Sequence, residues 1–491
     1  MTRPNELTAT EARRLIGTKR LSPVELLESC IEQIEAIDPA VNAMVVRAYE
    51  RARTEAKAAE AAIMRGDSLG ALHGLPIAIK DIQATEGIRT TYGSRYFEHN
   101  VPTADDDIVA TIRGAGGIVI GKTNIPEMSI GANTVNRLFG ATGNPFDVSR
   151  TCGGSSGGAA AAIACNMVPL ATGSDHGGSL RIPACYCGVV GYRATPGIVP
   201  AEKRTITQTF YSVQGPVART VEDAALLLSV IAERRNRRDP MAFPLDAAAL
   251  GRLAPTDVSK LRVAVSADLG GVLVSEATRR IFKERVARFA SYPAKLEWYD
   301  IDLRDAPMVD WHLRSDIFVA KYHRDIANYD EGFNPNIRRS YDAALGMSME
   351  AIAKARRRQM ELYQRFQAIF DDFDLLICPG TSVSPFPWRD LNPREIDGKL
   401  VENYMAWLGL TASITVVGHP VVALPCGTDE LQLPFGIQLI GPSYGDRSLL
   451  SAARALEQLF SADPKLSRPV PDFSKLRDKP SDCRTEGVKV H

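Results

Sequence analysis

Two glycine-flanked serine sites lie close together in residues 153–183, and this stretch constrains the fold more than any other part of the chain. Ser155 and Ser156 lie in the first site, and Ser179 lies in the second. A run of small residues typical of a helix and an apolar strand pattern separate them. Glycine beside serine permits unusual backbone conformations and lets a ligand approach closely. The stretch therefore predicts two turns, joined by a short helix and a strand, that bring serine hydroxyls together.

The charge balance and hydropathy exclude several classes of function. Lys plus Arg (58) equals Asp plus Glu (58), so no overall field favours nucleic acid or an anionic membrane. No apolar run reaches the roughly 20 residues of a membrane span, and the first residues lack the apolar core of a signal peptide. We therefore expect a cytoplasmic protein that binds neither nucleic acid nor membrane.

The cysteines and histidines show no pattern of a metal or redox centre. Eight cysteines are scattered without a CxxC pair, and seven histidines show no ligand spacing. Most of the cysteines lie in apolar segments, which predicts buried, reduced thiols. The sequence thus predicts neither a metal nor a cofactor.

Helical and strand patterns alternate along most of the chain, which is typical of an α/β fold with a largely buried sheet. Residues 22–25, Ser-Pro-Val-Glu, predict the start of a helix that Pro39 stops, and a second helix is expected over 41–65. The apolar runs 416–425 and 435–440 predict strands near the end of the chain.

Changes in composition divide the chain into five parts, with an exposed linker expected at the basic run 234–238. The parts are an N-terminal helical layer (1–65), a core with the candidate catalytic residues (66–233), a variable helical insert that covers the pocket (234–373), a C-terminal part of the core sheet (374–462) and a loosely attached polar tail (463–491).

A phosphate-binding string, GxxxxGK[ST], occurs at residues 116–123 as GGIVIGKT. It contains a buried strand pattern where the motif needs a glycine-rich loop, and Pro126 opposes the helix that should follow. Nucleotide binding is therefore disfavoured, and Lys122 is expected to orient a loop by hydrogen bonds.

The string G-x-S-x-G occurs around both Ser155 and Ser156 and matches a nucleophile elbow. Asp374 and His419 could complete such a triad in chain order. His419 lies in a strand-like run, where a structural hydrogen bond is the commoner role, so the sequence favours that role.

A serine can also be activated by a neutral lysine, if burial removes the proton of the lysine. Lys80 follows the apolar run Ile77-Ala78-Ile79, so its side chain is expected to enter apolar surroundings. From the residues alone, a structural ion pair and a catalytic base remain alternatives for this lysine.

Several strings, in the same order over about residues 5–460, resemble those of the amidase signature family. The glycine–serine core is the most specific of them. The strings are GLPIAIKD (74–81), GKTN (121–124), GGSSGG (153–158), GGSLRIPA (177–184), GPVARTVED (215–223) and PFGIQLIG (434–441). The resemblance implies a single large α/β domain in which α-helices cover both faces of a central mixed β-sheet, the amidase signature fold.

The resemblance also implies a Ser–Ser–Lys triad that needs no histidine. Ser179 matches the nucleophile, Ser155 matches the proton relay and Lys80 matches the general base. The peptide bond between Gly154 and Ser155 would be cis.

Further site residues follow from the same resemblance. The backbone N–H groups of His176, Gly177, Gly178 and Ser179 would form an oxyanion hole. Met128, Ser129 and Ser156 are assigned to substrate binding, and Ser156 is also expected to support the relay by hydrogen bonding.

Two departures from the family pattern weaken any inference of a substrate from close relatives. His176 stands where the family often has Thr or a small apolar residue, and residues 192–196, Tyr-Arg-Ala-Thr-Pro, replace a more usual Leu-Lys-Pro-Thr-Tyr.

The expected function is hydrolysis of a small-molecule carboxylic amide, extending to anilides, esters or carbamates, through an acyl-serine intermediate. The bond cleaved would be a linear C–N bond other than a peptide bond. The alternative is the glutamine-hydrolysing component of a tRNA-dependent amidotransferase, which works with a partner. A homodimer is a candidate assembly of the stand-alone enzyme.

Overall fold

The computed structural model describes residues 3–232, 238–329 and 332–484. The strands are β1 (Met44–Arg47), β2 (Pro76–Lys80), β3 (Ile118–Thr123), β4 (Val135–Asn136), β5 (Gly140–Ala141), β6 (Gly143–Asn144), β7 (Asp147–Thr151), β8 (Leu170–Asp175), β9 (Val190–Arg193), β10 (Val213–Ala218), β11 (Arg262–Val265), β12 (Lys295–Trp298), β13 (Leu375–Pro379), β14 (Glu395–Ile396), β15 (Lys399–Leu400), β16 (Val421–Thr428) and β17 (Pro434–Ile440). The α-helices are α1 (Ala9–Gly17), α2 (Pro23–Val41), α3 (Tyr49–Arg65), α4 (Asp107–Gly114), α5 (Gly157–Ala164), α6 (Arg181–Cys187), α7 (Val221–Ile231), α8 (Ala247–Leu250), α9 (Glu276–Phe289), α10 (Ala306–Asn328), α11 (Pro335–Leu345), α12 (Met349–Gln367), α13 (Ile369–Asp372), α14 (Gly409–Val417) and α15 (Asp446–Ser461).

Eleven strands of the described chain form one mixed sheet, in the order β1-β3-β2-β8-β10-β9-β16-β17-β13-β11-β12. β2 is parallel to β3 and β8, and β11 is parallel to β12 and β13. From β8 through to β13 each strand is antiparallel to its neighbours on that path. β2, β3 and β17 are buried along their whole length because α-helices cover both faces of the sheet. The prediction of an α/β domain with a central mixed sheet is confirmed.

The N-terminal helix α2 begins as predicted and ends later than predicted. Its capping box is complete, because Ser22 Oγ accepts from the backbone of the first turn and Glu25 accepts from Ser22 N–H at 3.1 Å. The helix nevertheless passes through Pro39 and ends at Val41. Proline removes one hydrogen bond here, and burial of Ala40 and Val41 offsets that loss.

Two further predictions from local pattern are wrong. The expected helix over 41–65 begins only at Tyr49, because Met44–Arg47 pairs with β3 as an edge strand. The run 416–425 does not form one strand, because its first residues close α14, which Gly418 ends at φ 69° before β16 begins. Every residue of α14 is buried, and a helix buried all round has no polar face that distinguishes it from a strand.

The segment after α15 is attached to the core, contrary to the expectation of a loose tail. Leu466, Leu476 and Cys483 are buried. Asp478 N–H donates to Ala36 O at 2.8 Å, and Ser481 Oγ donates to a carbonyl of α2 at 2.6 Å. The tail, as far as the structure describes it, therefore closes against the N-terminal layer.

All eight cysteines are buried free thiols, as their apolar contexts predict. Burial raises the pKa of the Cys30 thiol to about 12, and that of Cys378 likewise to about 12. The segment 311–373 is helical as expected, in α10 to α13. The boundary proposed near residue 234, and most of the basic run beside it, lie outside the described residues.

Candidate active site

A cavity of about 350 Å³ lies beside the carboxyl ends of β2 and β8. Ser155 and Ser179 both line it, with α10 supplying the opposite wall through residues such as Arg314 and Phe318. A second cavity, of about 410 Å³, lies between α9 and the end of β16, and its wall contains neither a serine nor a cysteine. The first cavity is therefore the candidate active site.

Lys80 is fully buried at the end of β2, where the sequence predicts an apolar environment. Its Nζ lies 2.7 Å from Ser155 Oγ, 2.9 Å from Ser156 Oγ and 2.9 Å from Ser174 Oγ. Burial lowers the pKa of this ammonium group well below 10.5; Asp175 opposes that shift and Lys321 adds to it. Among the residues that the structure describes, the amine thus has three hydroxyl partners and no carboxylate partner, which argues against the structural ion pair.

Three serine hydroxyls around one amine set its hydrogen-bonding pattern. An ammonium group has three N–H donors and no acceptor, whereas a neutral amine has two donors and one lone pair. When Lys80 is neutral, one of the three hydroxyls must therefore donate to Nζ. The hydroxyl of Ser155 is the closest of the three and also lines the cavity.

The turn before Ser155 has the backbone conformation that its glycines allow. Gly153 has φ 80°, which favours glycine, and the Gly154–Ser155 peptide bond is cis, as the family resemblance implies. Ser156 N–H donates to Ser179 O at 3.2 Å, so one backbone hydrogen bond connects the two serine turns. α5 starts immediately afterwards at Gly157.

Ser179 follows a second tight turn, and its side chain is partly exposed in the cavity. Gly178 has φ 131°, and a Cβ there would lie 2.4 Å from Thr411 Oγ1. Among the residues that the structure describes, none forms a hydrogen bond with the hydroxyl of Ser179. The hydroxyl is therefore available to a ligand in the cavity.

A buried ion network under this turn holds it in place. Asp175 pairs with Arg181 at 3.0 Å and with Arg193 at 3.2 Å, and all three side chains are fully buried. Burial alone would raise the pKa of Asp175, but the two guanidinium groups hold it well below its usual range. The ionised carboxylate accepts from the N–H of Gly178 at 2.9 Å and of Leu180 at 3.2 Å.

This network changes the predicted oxyanion hole. Gly178 is one of the predicted donors to an oxyanion, but its N–H already donates to Asp175. Because a backbone amide has one hydrogen, Gly178 is not available in this arrangement. His176, Gly177 and Ser179 remain the predicted donors, and all three line the cavity.

The imidazole of His176 is a neutral part of the cavity wall. Its Nδ1 lies 3.0 Å from Ser212 Oγ, and its ring stacks on Tyr211 with centroids 4.7 Å apart. Burial, followed by the nearby positive charges of Arg314 and Lys321, lowers the pKa of His176 well below 6.5. The departure from the family pattern at this position thus adds an uncharged aromatic ring to the pocket.

The structure separates the remaining predicted substrate-binding residues. Met128 and Ser129 line the cavity, in a turn where both have positive φ. Ser156 does not: its side chain is fully buried, and its Oγ lies 2.9 Å from Lys80 Nζ, where it can support the proton relay by hydrogen bonding. Sequence reasoning misses Ser174, which lines the cavity and contacts Lys80. The available signal is its position just after the predicted strand and two residues before His176.

The two other motifs do not form sites. Residues 116–123 include all of β3, and Lys122 Nζ donates to Gln83 O, Thr85 Oγ1 and Thr90 Oγ1, so it orients a loop as predicted. His419 is buried between Val417 O and Gln367 Oε1, at 2.7 and 2.9 Å, and does not line the cavity.

Comparison with known proteins gives a consistent result. The Amidase family model matches residues 25–450. The chain is 32% identical to an acylamidase of Rhodococcus erythropolis (92% of this chain, 95% of the relative) and 32% identical to a glutamyl-tRNA(Gln) amidotransferase subunit of Picosynechococcus sp. (91% and 96%). It superimposes on a bacterial aryl acylamidase of the amidase signature enzymes with a TM-score of 0.84 and 28% identity, covering 93% and 96% of the two chains.

The chain belongs to the amidase signature family. It is an amide-hydrolysing enzyme, and the resemblance drawn from its serine, glycine and lysine strings is confirmed. In the part of the chain that the structure describes, no helix is long and apolar enough to cross a membrane. Nor do the described residues include a group of three or more His, Cys, Asp or Glu side chains arranged to hold a metal ion.

Proposed function

We propose that this amidase acts as a stand-alone hydrolase of small carboxylic amides, through an acyl-enzyme formed on Ser179. The observation that carries the proposal is the distance of 2.7 Å between the fully buried Lys80 amine and Ser155 Oγ. Ser155 and Ser179 both line the same cavity. The similarity to an acylamidase and to an aryl acylamidase structure supports this choice of substrate class.

The proposed reaction begins with the movement of one proton. Ser179 Oγ attacks the amide carbonyl while its proton passes to Ser155, and the proton of Ser155 passes to the neutral amine of Lys80. Burial of Lys80 favours this transfer because it lowers the pKa of the amine well below 10.5 and so favours the neutral form.

The later steps use the same groups in reverse. The carbonyl oxygen becomes an oxyanion, which the N–H groups of His176, Gly177 and Ser179 would stabilise. The proton returns through Ser155 to the leaving amine, and the C–N bond breaks. Water then attacks the acyl-serine ester while its proton passes through Ser155 to Lys80, and that proton returns through Ser155 to Ser179 Oγ as the C–O bond breaks and the carboxylic acid is released.

Replacement of the nucleophile tests the proposal. Ser179→Ala should abolish hydrolysis of an acyl anilide and abolish covalent labelling by a fluorophosphonate, since it removes the attacking oxygen. Both are measured on purified protein, with circular dichroism to show that the fold is retained. Labelling of the variant at a different serine would assign the nucleophile elsewhere.

A second candidate function is glutamine hydrolysis within an amidotransferase, favoured by the 32% identity to the glutamyl-tRNA(Gln) amidotransferase relative over 91% of this chain. The two candidates differ in their need for a partner. The purified chain alone should hydrolyse simple anilides and release little ammonia from glutamine if it is a stand-alone enzyme. The reverse result, with glutamine hydrolysis that appears only with a partner, would favour the amidotransferase.

A further inference from the structure

Helix α10 places two cationic side chains on the wall of the candidate active site. Arg314 and Lys321 are seven residues apart, which is two helical turns, so they share one face of the helix. Both line the cavity with Ser155 and Ser179. Arg314 is 8% exposed, whereas Lys321 is exposed at the mouth.

The guanidinium group of Arg314 has no anionic partner among the described residues. No carboxylate oxygen of these residues lies within 4.0 Å of it, although Asp310 is one turn away on the same helix. Arg314 Nη1 contacts Met405 Sδ, its Cζ lies 4.9 Å from the centroid of the Phe318 ring, and its Nε is buried without a hydrogen bond. A thioether and an aromatic face are weak substitutes for a carboxylate.

The other two cations of the cavity wall already have a carboxylate partner. Arg204 pairs with Asp239 at 3.0 Å, and Lys203 pairs with Asp106. Glu202 accepts a hydrogen bond from the N–H of Asp107 at 3.0 Å. Among the described residues of the cavity wall, the two cations without a paired carboxylate therefore both lie on α10.

The positive charges of α10 act electrostatically on groups of the candidate active site. Arg314 and Lys321 each contribute to lowering the pKa of His176, and Lys321 also contributes to lowering that of Lys80. A ligand between α10 and the serine turns would thus lie within the field of both cations. The buried carboxylate of Asp310 acts on Arg314 only from beyond salt-bridge distance, so Arg314 is a largely buried cation without a paired carboxylate among the described residues, and a bound anion would reduce the cost of its burial.

We propose that Arg314, assisted by Lys321, binds a carboxylate group of the substrate, so that the preferred amides carry an anionic group away from the scissile bond. A guanidinium group can bind a carboxylate through two parallel hydrogen bonds, and the Nε–H of Arg314 has no acceptor among the described residues. This inference rests on the proposed amide hydrolysis at Ser179 and specifies its substrate class.

Matched substrate pairs test the inference. On the acyl side, the anilides of succinic, glutaric and adipic acid with a free carboxylate are compared with straight-chain acyl anilides of equal length. On the amine side, 4-acetamidobenzoate is compared with 4-methylacetanilide. We expect the wild-type enzyme to favour the carboxylate in at least one pair, measured as kcat/KM for arylamine release.

In Arg314→Met, that preference should fall by about tenfold to a hundredfold, mainly through KM, because hydrogen bonds to a charged group are lost. The kcat/KM of the neutral member of the pair should fall much less than that of the carboxylate member, and circular dichroism shows whether the variant is folded. Lys321→Met should reduce the preference less, since its exposed charge is screened. Lys354→Met, which removes an exposed cation of α12 that pairs with Glu350 and does not line the cavity, should leave the preference unchanged.

The outcomes separate this inference from the proposed function. A wild-type enzyme that hydrolyses the neutral anilides without preferring any carboxylate, or an Arg314→Met variant that loses both members of a pair equally, overturns the inference and leaves the function in place. If the wild-type enzyme hydrolyses no anilide and no fluorophosphonate labels Ser179, the proposed function itself fails. Should Arg314→Met not fold, Arg314→Lys and Lys321→Met are measured in the same way, and a preference that neither changes contradicts the inference.

Discussion

Lys80 and Lys122 are both fully buried lysines, yet their surroundings give them different roles. The amine of Lys122 has a carbonyl oxygen and two threonine hydroxyls as partners, and burial lowers its pKa to about 8. Among the described residues, the Lys80 amine hydrogen bonds to three serine hydroxyls, two of which, those of Ser155 and Ser174, belong to residues that line the cavity. Burial alone therefore does not distinguish a candidate base from a structural lysine. Lys80 differs from Lys122 because its partner Ser155 lines the cavity.

The protonation of Lys80 predicts the pH dependence of the enzyme. The proposed base works only when neutral, and burial lowers its pKa well below 10.5, so kcat/KM should hold its plateau to a pH well below 10.5 and fall about tenfold per pH unit below that pKa. Lys80→Met should lower kcat/KM by roughly 10²–10⁴-fold and remove this acid limb. A pH profile of anilide hydrolysis measures both effects.

Lys122→Met is the matched control for that profile. It removes a second buried amine that does not contact Ser155, so the acid limb should remain even if the loop it orients becomes less stable. An acid limb that persists in Lys80→Met and disappears in Lys122→Met would contradict the assignment of the base.

Local pattern predicted the capped start of α2 and the strand that ends in Lys80, because both depend on neighbouring residues in the sequence. It missed β1, which exists only because Met44–Arg47 meets β3 at the edge of the sheet. It also did not predict that Ser156 is fully buried, because that follows from contact with Lys80, which is distant in sequence. Nor did it predict that the N–H of Gly178 donates to Asp175, because that hydrogen bond depends on how the turn folds. The strings that locate the triad are short and specific, whereas the wall of α10 has no recognisable motif.

The contact between α12 and the end of α14 predicts a pH-dependent stability. The two imidazole nitrogens of His419 lie within hydrogen-bond distance of Val417 O and Gln367 Oε1. Burial lowers the pKa of this imidazole to about 3. In the unfolded chain this histidine takes up a proton near its ordinary pKa of 6.5. In the folded chain it takes up a proton only near pH 3. Stability from this group is therefore present above pH 6.5 and is lost as the pH falls from there toward 3.

His419→Asn should make the denaturation midpoint less sensitive to pH between 6.5 and 4, while costing about 1–3 kcal/mol at neutral pH through lost hydrogen bonds. Urea denaturation at several pH values measures this. The kcat/KM of the folded variant should equal that of the wild type, and a complete loss of fluorophosphonate labelling instead would restore His419 as the partner of a nucleophile elbow.

The two ends of the described chain meet on one side of the molecule, which the composition of the polar tail did not indicate. Asp478 and Ser481 hydrogen bond to α2, and Arg484 pairs with Asp38 at 2.9 Å. The tail therefore contributes to the stability of the N-terminal layer, a contribution visible only in the assembled molecule.

Leu476→Ala tests this closure. Leu476 is 4% exposed, so its truncation should cost about 2–5 kcal/mol and lower the thermal midpoint. Val470→Ala, in the same segment but with a side chain 59% exposed, should change the midpoint little. Equal midpoints for the two variants in differential scanning calorimetry would show that the tail does not stabilise the core.

The burial of every native cysteine has a practical consequence for spectroscopic work. The thiols are enclosed, and the pKa of several is raised to about 12, so in the folded enzyme they should not react with maleimide dyes at neutral pH. One cysteine introduced at a surface position would then be the sole point of attachment for a fluorophore or spin label. Probes of pocket opening beside α10 could be attached without first replacing the eight natural thiols.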